Sequence, residues 1–272
     1  MRLPALPLGA ADFGLRSLRR FVDVEGAQQA TVIAAQAFTS LIPFLIVASA
    51  VGPGEGDLGD RIVERFSLEG SSARSVEALF NDTGEVESTI TWVGVVILVL
   101  ATLSFSRAMQ RMFQRAYGRA PGGRRDLWRG LVWLAGFAVW IAVSSPLREG
   151  LRDIGGLLLA LTATGLTGLV LWLWTPAILL GMSDWRRLLP GAAVSGVLGA
   201  LVGVASGIYV PILMKWSADK YGLIGIAFSM QSWLLVMAFV AVIGAVVGAV
   251  ASELYGDRVD RLARVRVRER AG

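Results

Sequence analysis

The 272-residue chain contains no cysteine and no histidine. The first absence excludes disulfides and thiolate metal sites. The second excludes Ser-His-Asp triads and the histidine-rich ion clusters of many hydrolases. Only carboxylate, lysine, arginine, tyrosine or hydroxyl chemistry remains. Charge is scarce too: 17% of residues are charged, where a soluble domain carries roughly a quarter. In its place stand 54% apolar residues, 32 glycines, nine tryptophans and a mean hydropathy of +0.60. This balance predicts an all-α membrane protein folded as one bundle.

A helix needs about 20 residues to cross a hydrocarbon core of ~30 Å. Six runs meet that length with no charge in their central portions: 27–52, 89–107, 128–147, 156–181, 188–213 and 222–251. They are too long and uniform for barrel strands. With a cytoplasmic N-terminus, segments 1–26, 107–129, 182–190 and 252–272 hold 19 of the 26 Lys/Arg. Segments 53–88, 145–156 and 214–221 hold the other seven. That bias predicts both termini in the cytoplasm and a membrane domain over 27–252, followed by a basic tail, 253–272. The rival is a signal peptide opening at Arg19-Arg20, but it would end near residue 50, far beyond the usual ~15–30 residues. The outer segment 53–88 carries nine acidic residues and apolar positions at helical spacing (Ile62, Val63, Phe66; Val76, Leu79, Phe80). Two short amphipathic helices on the membrane surface are expected there.

Gly191, Ser195, Gly199, Gly203 and Gly207 recur every fourth residue, as do Gly244, Gly248 and Ser252. Small residues let helix backbones approach closely, so the last two helices are expected to form a tight pair. The same faces could support a homo-oligomer. Pro43 and Pro176 fall inside the first and fourth runs and should kink them. Three plus three spans would permit an inverted repeat with these two as counterparts, as in several transporters.

Arginines stand at 107, 111, 115 and 119, one every fourth residue. Nucleic-acid binding, a voltage sensor and a membrane helix entering the cytoplasm all fit four such charges. Location decides among them. The apolar run ends at Phe105-Ser106, so the ladder begins where the bilayer stops, and anionic inner-leaflet lipid is the expected partner rather than nucleic acid. Arg107, Arg111 and Arg115 are the candidate contacts. The tail RLARVRVRER (261–270) reads the same way and is expected to be flexible.

Polar residues within the runs are the candidate solute path: Gln36 and Ser40 beside Pro43, then Pro176 and Gln231. Interhelical hydrogen bonding by such residues, at roughly 0.6 kcal/mol per contact, is the plainer account. Tyr221 with Gly222, and Glu253, are candidate gate residues. Their plainer roles are an interfacial anchor, a tight turn and a weak ion pair with an arginine of 107–129 or of the tail.

In order along the chain stand AFTSLIPFL (37–45), MQRMFQRAYG (109–118), WRRLLPGA (185–192) with Tyr209, and YGLIG (221–225) before a long apolar span ending at Glu253-Leu254. Together they resemble the YihY/BrkB family of bacterial inner-membrane proteins, over about residues 15–255. Two departures stand out. The family usually has asparagine after leucine where this chain has Phe113-Gln114, and glycine-alanine before the glutamate where it has Ala251-Ser252. The resemblance implies a transporter or envelope factor of the bacterial inner membrane. The family's older label, ribonuclease BN, conflicts with a chain that has neither histidine nor a cytoplasmic acidic cluster. The expectation is a permease or exporter of a solute or lipid-like molecule, without cofactor, metal or catalytic residues. The alternative is a non-transporting envelope scaffold or assembly factor that binds lipid or a partner membrane protein.

Overall fold

The computed structural model describes residues 10–51, 88–120 and 122–271. The two surface helices expected within 53–88 lie outside the described residues. Among those described there are no strands, and six helical elements follow one another: α1 Ala10–Asp23, α2 Gly26–Val51, α3 Ser88–Ala116, α4 Arg124–Leu180, α5 Trp185–Tyr221 and α6 Leu223–Ala271. Four stretches among the described residues are long and apolar enough to cross a membrane: Val95–Ala116, Thr162–Leu180, Trp185–Tyr221 and Ile224–Leu254.

The distribution of polarity is inverted relative to a water-soluble bundle. Leu100, Val139, Leu166, Val170, Leu201 and Ile208 face outward, while Ser106, Gln110, Gln114, Thr175 and Ser195 are buried. A surface this apolar is suited to lipid.

α4 is two helices. Gly156 has φ 71° and ψ −169°, a conformation essentially restricted to glycine. Trp133 Nε1 donates to Thr175 Oγ1 (3.1 Å), and Trp140 Nε1 donates to the Thr167 carbonyl (2.9 Å). As one partner advances along the sequence the other retreats, so the halves run antiparallel and fold back near Gly156. The loop expected over 145–156 is therefore mostly helix. Pro176 sits inside the second half, and the non-helical dihedrals of this element fall at Gly156, not at the proline. Pro43 likewise lies within the continuous α2, and its side chain lies outside the described residues.

α5 and α6 form the second hairpin, joined through Gly222 at φ 59°. The expected close pair is present at one end of the glycine stripe. A methyl group on Gly191 would lie 2.7 Å from the Gly244 carbonyl oxygen and 2.8 Å from the Gly248 Cα. Ser195 fills the space opposite Gly244 and its hydroxyl points to the Val240 carbonyl (3.5 Å). A methyl on Gly199 would meet Trp172 and Val240 at 3.6 and 4.0 Å, whereas Gly203 and Gly207 have nothing within 4 Å, so the stripe packs over 191–199 and is open beyond it. α6 does not stop at the membrane-competent stretch. It continues to Ala271, so the tail expected to be flexible is helical: no proline interrupts it, and the helix has no reason to end at Glu253.

The described residues divide into two compact units. One comprises residues 10–29, 110–120, 122–200 and 239–271; the other comprises 30–51, 88–109 and 201–238.

Candidate functional site

In the first unit the ends of several helices gather, and arginine is the common element. Every ladder arginine is exposed, whereas Ala108, Met109, Gln110, Met112, Phe113, Gln114 and Ala116 between them are buried. For Arg107, Arg111 and Arg115 the spacing sets this, since steps of four residues keep the guanidinium groups on one broad face; Arg119 lies beyond the end of α3, after Gly118 at φ 61°. Arg115 reaches Glu25 (3.5 Å), and Arg119 donates to the Leu180 carbonyl (2.7 Å). Leu180 is the last residue of α4, where the carbonyls lack helical partners and the dipole is negative. The Arg129 guanidinium lies against Gly181 at the same terminus. Two cations therefore converge on one helix end.

The buried face of the motif at 109–118 has its own chemistry. Gln110 donates to the Asp126 backbone carbonyl, and Gln114 Nε2 donates to Asp126 Oδ2 (2.6 Å). Asp126 also faces Arg129 (3.8 Å). The Gln114 amide thus makes a charge-assisted bond that anchors the start of α4 to α3.

Glu253 pairs with Arg20 (3.1 Å), whose Nε also donates to the Ala116 carbonyl (3.1 Å). The expected partner was an arginine of the 107–129 segment or the tail. The ladder side chains point away, however, and the last turn of α1 delivers Arg20 instead. α1 was not anticipated as a helix. Its signal was the recurrence of Phe13, Ser17, Phe21 and Val24 on one face, with Phe21 stacked on Phe239 (6.4 Å between ring centroids).

Next to these contacts lies a narrow cleft of about 190 Å³, its open mouth included, lined by Phe113, Tyr117, Trp172, Pro176, Ser195 and Gly244 among others. Drug-sized ligands occupy roughly 300–1,000 Å³, so it encloses no such molecule. Pro176 is buried here and provides no N–H for the Trp172 carbonyl. Tyr117, one residue beyond α3, has its hydroxyl beside Gly248. Burial pushes that hydroxyl's pKa up to about 12, which keeps it neutral at physiological pH.

The second unit holds the remaining candidates. Gln36 is half-buried, and Ser40 donates to its own helix at Ala37 (2.7 Å). Thr102, Ser104, Ser229 and Ser232 likewise donate to carbonyls one turn back. Two groups depart from this pattern: Ser106 Oγ and Gln231 Oε1 are buried without a hydrogen-bond partner among the described residues. No hydrogen bond among the described residues joins Gln36, Ser40 and Gln231 to one another. Arg107 is exposed. Tyr221 is exposed as well, and Gly222 turns α5 into α6, its N–H donating to the Ala218 carbonyl (2.8 Å). Lys220 lies over the Trp216 ring (4.3 Å) near the same turn, an aromatic-cation pairing suited to a membrane surface. Sequence reasoning missed Ser106, which reads as one more helix serine until its missing back-bond is seen.

Among the described residues no three acidic side chains come together as a metal site. The comparisons with known proteins give one positive result: the family model described as Virulence factor BrkB matches residues 17–267. No curated protein and no solved structure matches the chain.

Proposed function

The chain belongs to the Virulence factor BrkB family, and on that premise we propose that it is a six-span protein of the bacterial inner membrane that moves a solute or lipid-like molecule across the bilayer. Family membership and four membrane-competent helices make it a membrane protein. The six-span topology, with both termini cytoplasmic, draws on the 19-to-seven cation bias in the sequence.

One observation carries the transport reading. Gln231 lies inside one membrane-competent stretch, and Ser106 lies beside Arg107 where the apolar part of another ends; each holds a buried polar atom without a hydrogen-bond partner among the described residues. An unpaired buried group costs about 1–3 kcal/mol, and polar groups at membrane depth commonly mark a solute path. A transported molecule or water would complete their bonding. The reading is tested with purified protein in proteoliposomes, measuring flux of a solute panel and scrambling of labelled lipids. Gln231→Leu should abolish the activity of the native chain while thermal stability is kept. Absence of flux and scrambling for the native chain across the whole panel would refute the reading.

The arginine face carries the partner in this proposal. Arg107, Arg111 and Arg115 would contact anionic lipid headgroups of the inner leaflet, each worth about 1 kcal/mol. No catalytic residue, cofactor or nucleic acid enters the scheme. A second reading, an envelope scaffold, is favoured by the open small-residue face at Gly203 and Gly207, which would accept a partner helix or a second copy. Co-purification of a stoichiometric membrane partner, without flux, would select it.

A further inference from the structure

α1 has three faces where a helix on a soluble protein has two. At 100° per residue, Phe13, Ser17, Phe21 and Val24 share the face turned to the protein, and all four are partly covered. Asp12, Arg16, Arg19 and Asp23 form a charged, exposed rank. Leu15, Leu18 and Val22 make a third face, and they are 54%, 60% and 67% exposed. Apolar side chains grouped on one face and left open call for an occupant.

The position of α1 says which. Arg20 pairs with Glu253, and Phe21, its neighbour, stacks on Phe239. Those two points on α6 are 14 residues apart, about 21 Å of helix. Glu253 is the penultimate residue of the membrane-competent stretch Ile224–Leu254, and Phe239 is its midpoint. That stretch has 31 residues, some ten more than a hydrocarbon core needs, and the charged Glu253 at its end marks where it reaches the headgroup zone. The last turn of α1 is therefore held at the boundary between acyl chains and headgroups. Helices with an apolar face and a charged flank lie in this zone with the apolar face sunk about 5–10 Å. Arg16 and Arg19 have the reach to snorkel to phosphates.

We infer that α1 is an interfacial helix whose Leu15, Leu18 and Val22 face inserts into the bilayer surface. The rank beside it pairs two arginines with two aspartates, so insertion is driven by apolar burial and does not require anionic lipid. This inference depends on α6 lying in a membrane and is independent of transport.

The absence of cysteine makes the test direct, since any introduced thiol is unique. Full-length Leu18→Cys, Val22→Cys and Arg16→Cys proteins are spin-labelled and reconstituted in phosphatidylcholine vesicles. Collision with membrane-soluble oxygen and with a water-soluble nickel chelate is then measured. Labels at Leu18 and Val22 should favour oxygen, and the label at Arg16 should favour the chelate. Equal access of the chelate to all three positions would overturn the inference. So would shielding of Leu18 and Val22 from both reagents together with disulfide cross-linking between copies, which would make the face a contact with a second chain. Shielding that appears only when anionic lipid is added would replace insertion by electrostatic adsorption. Using two apolar positions guards against one substitution disturbing the helix.

Discussion

Gly191 and Gly248 cross at backbone contact, with room for no side chain between them: a methyl on Gly191 would lie 2.8 Å from the Gly248 Cα. Gly191→Ala must push α5 and α6 apart, at about 1–3 kcal/mol for overpacking. Gly203→Ala, with nothing within 4 Å, should be neutral or stabilise by up to about 1 kcal/mol through helix propensity. Thermal unfolding in detergent distinguishes the two. Equal melting temperatures for both variants would mean that the crossing contributes nothing.

Gln114 and Asp126 form a bond whose sign can be reversed. Gln114→Glu sets two carboxylates against each other and should be worse than Gln114→Leu, which leaves Asp126 short of one donor at about 1–3 kcal/mol. Asp126→Asn should restore much of the loss in the Glu variant. A double-mutant cycle on melting temperature should return a coupling of roughly 0.5–3 kcal/mol; additive effects would separate the pair.

Tyr117 predicts an alkaline transition. Its folded pKa of about 12 exceeds the ordinary value of 10.0 because burial disfavours the phenolate. The associated stability is complete below pH 10 and is lost between about 10 and 12, at no more than about 1.4 kcal/mol per pH unit. Tyr117→Phe should remove the last step of the tyrosinate absorbance titration and flatten the fall of melting temperature over that window. An unchanged titration above pH 11 would contradict the buried hydroxyl.

Arg20 should matter more than its partner. Glu253 is 59% exposed, and such surface pairs contribute at most about 1 kcal/mol. Arg20 also caps the Ala116 carbonyl at the end of α3. Arg20→Ala should therefore lower the melting temperature further than Glu253→Gln, and 0.5 M salt should mask the second effect more than the first, since it screens exposed pairs. Equal, fully salt-sensitive losses would reduce Arg20 to an ion pair.

Long uniform apolar runs made the helices legible: nearly every described residue of the six runs is helical, and four stretches among the described residues are long and apolar enough to cross a membrane. Turns were legible only in part. Gly222 was marked by its place after Tyr221, whereas the fold-back at Gly156 was obscured by a polar stretch, 144–153, that reads as a loop yet continues the helix. Pro43 and Pro176 both stand within continuous helix, and the non-helical dihedrals of α4 fall at Gly156. α1 was hidden by its three-faced pattern, which blurs the simple alternation of buried and exposed sides. The pairing of Arg20 with Glu253 joins residues more than two hundred positions apart, and no local pattern encodes such a meeting. Ser106 shows the remaining limit, because a missing hydrogen bond leaves no trace in the sequence.

A single residue, Gly222, joins α5 to α6, and this sets the mechanics of the hairpin. So short a joint leaves no slack, so the two helices cannot slide past one another along their axes. Rotation about the glycine remains available, and its lever arm is long: α5 alone has 37 residues, about 55 Å. Gly222 thus fixes the register of α5 against α6 and leaves the angle between them to be set by side-chain packing.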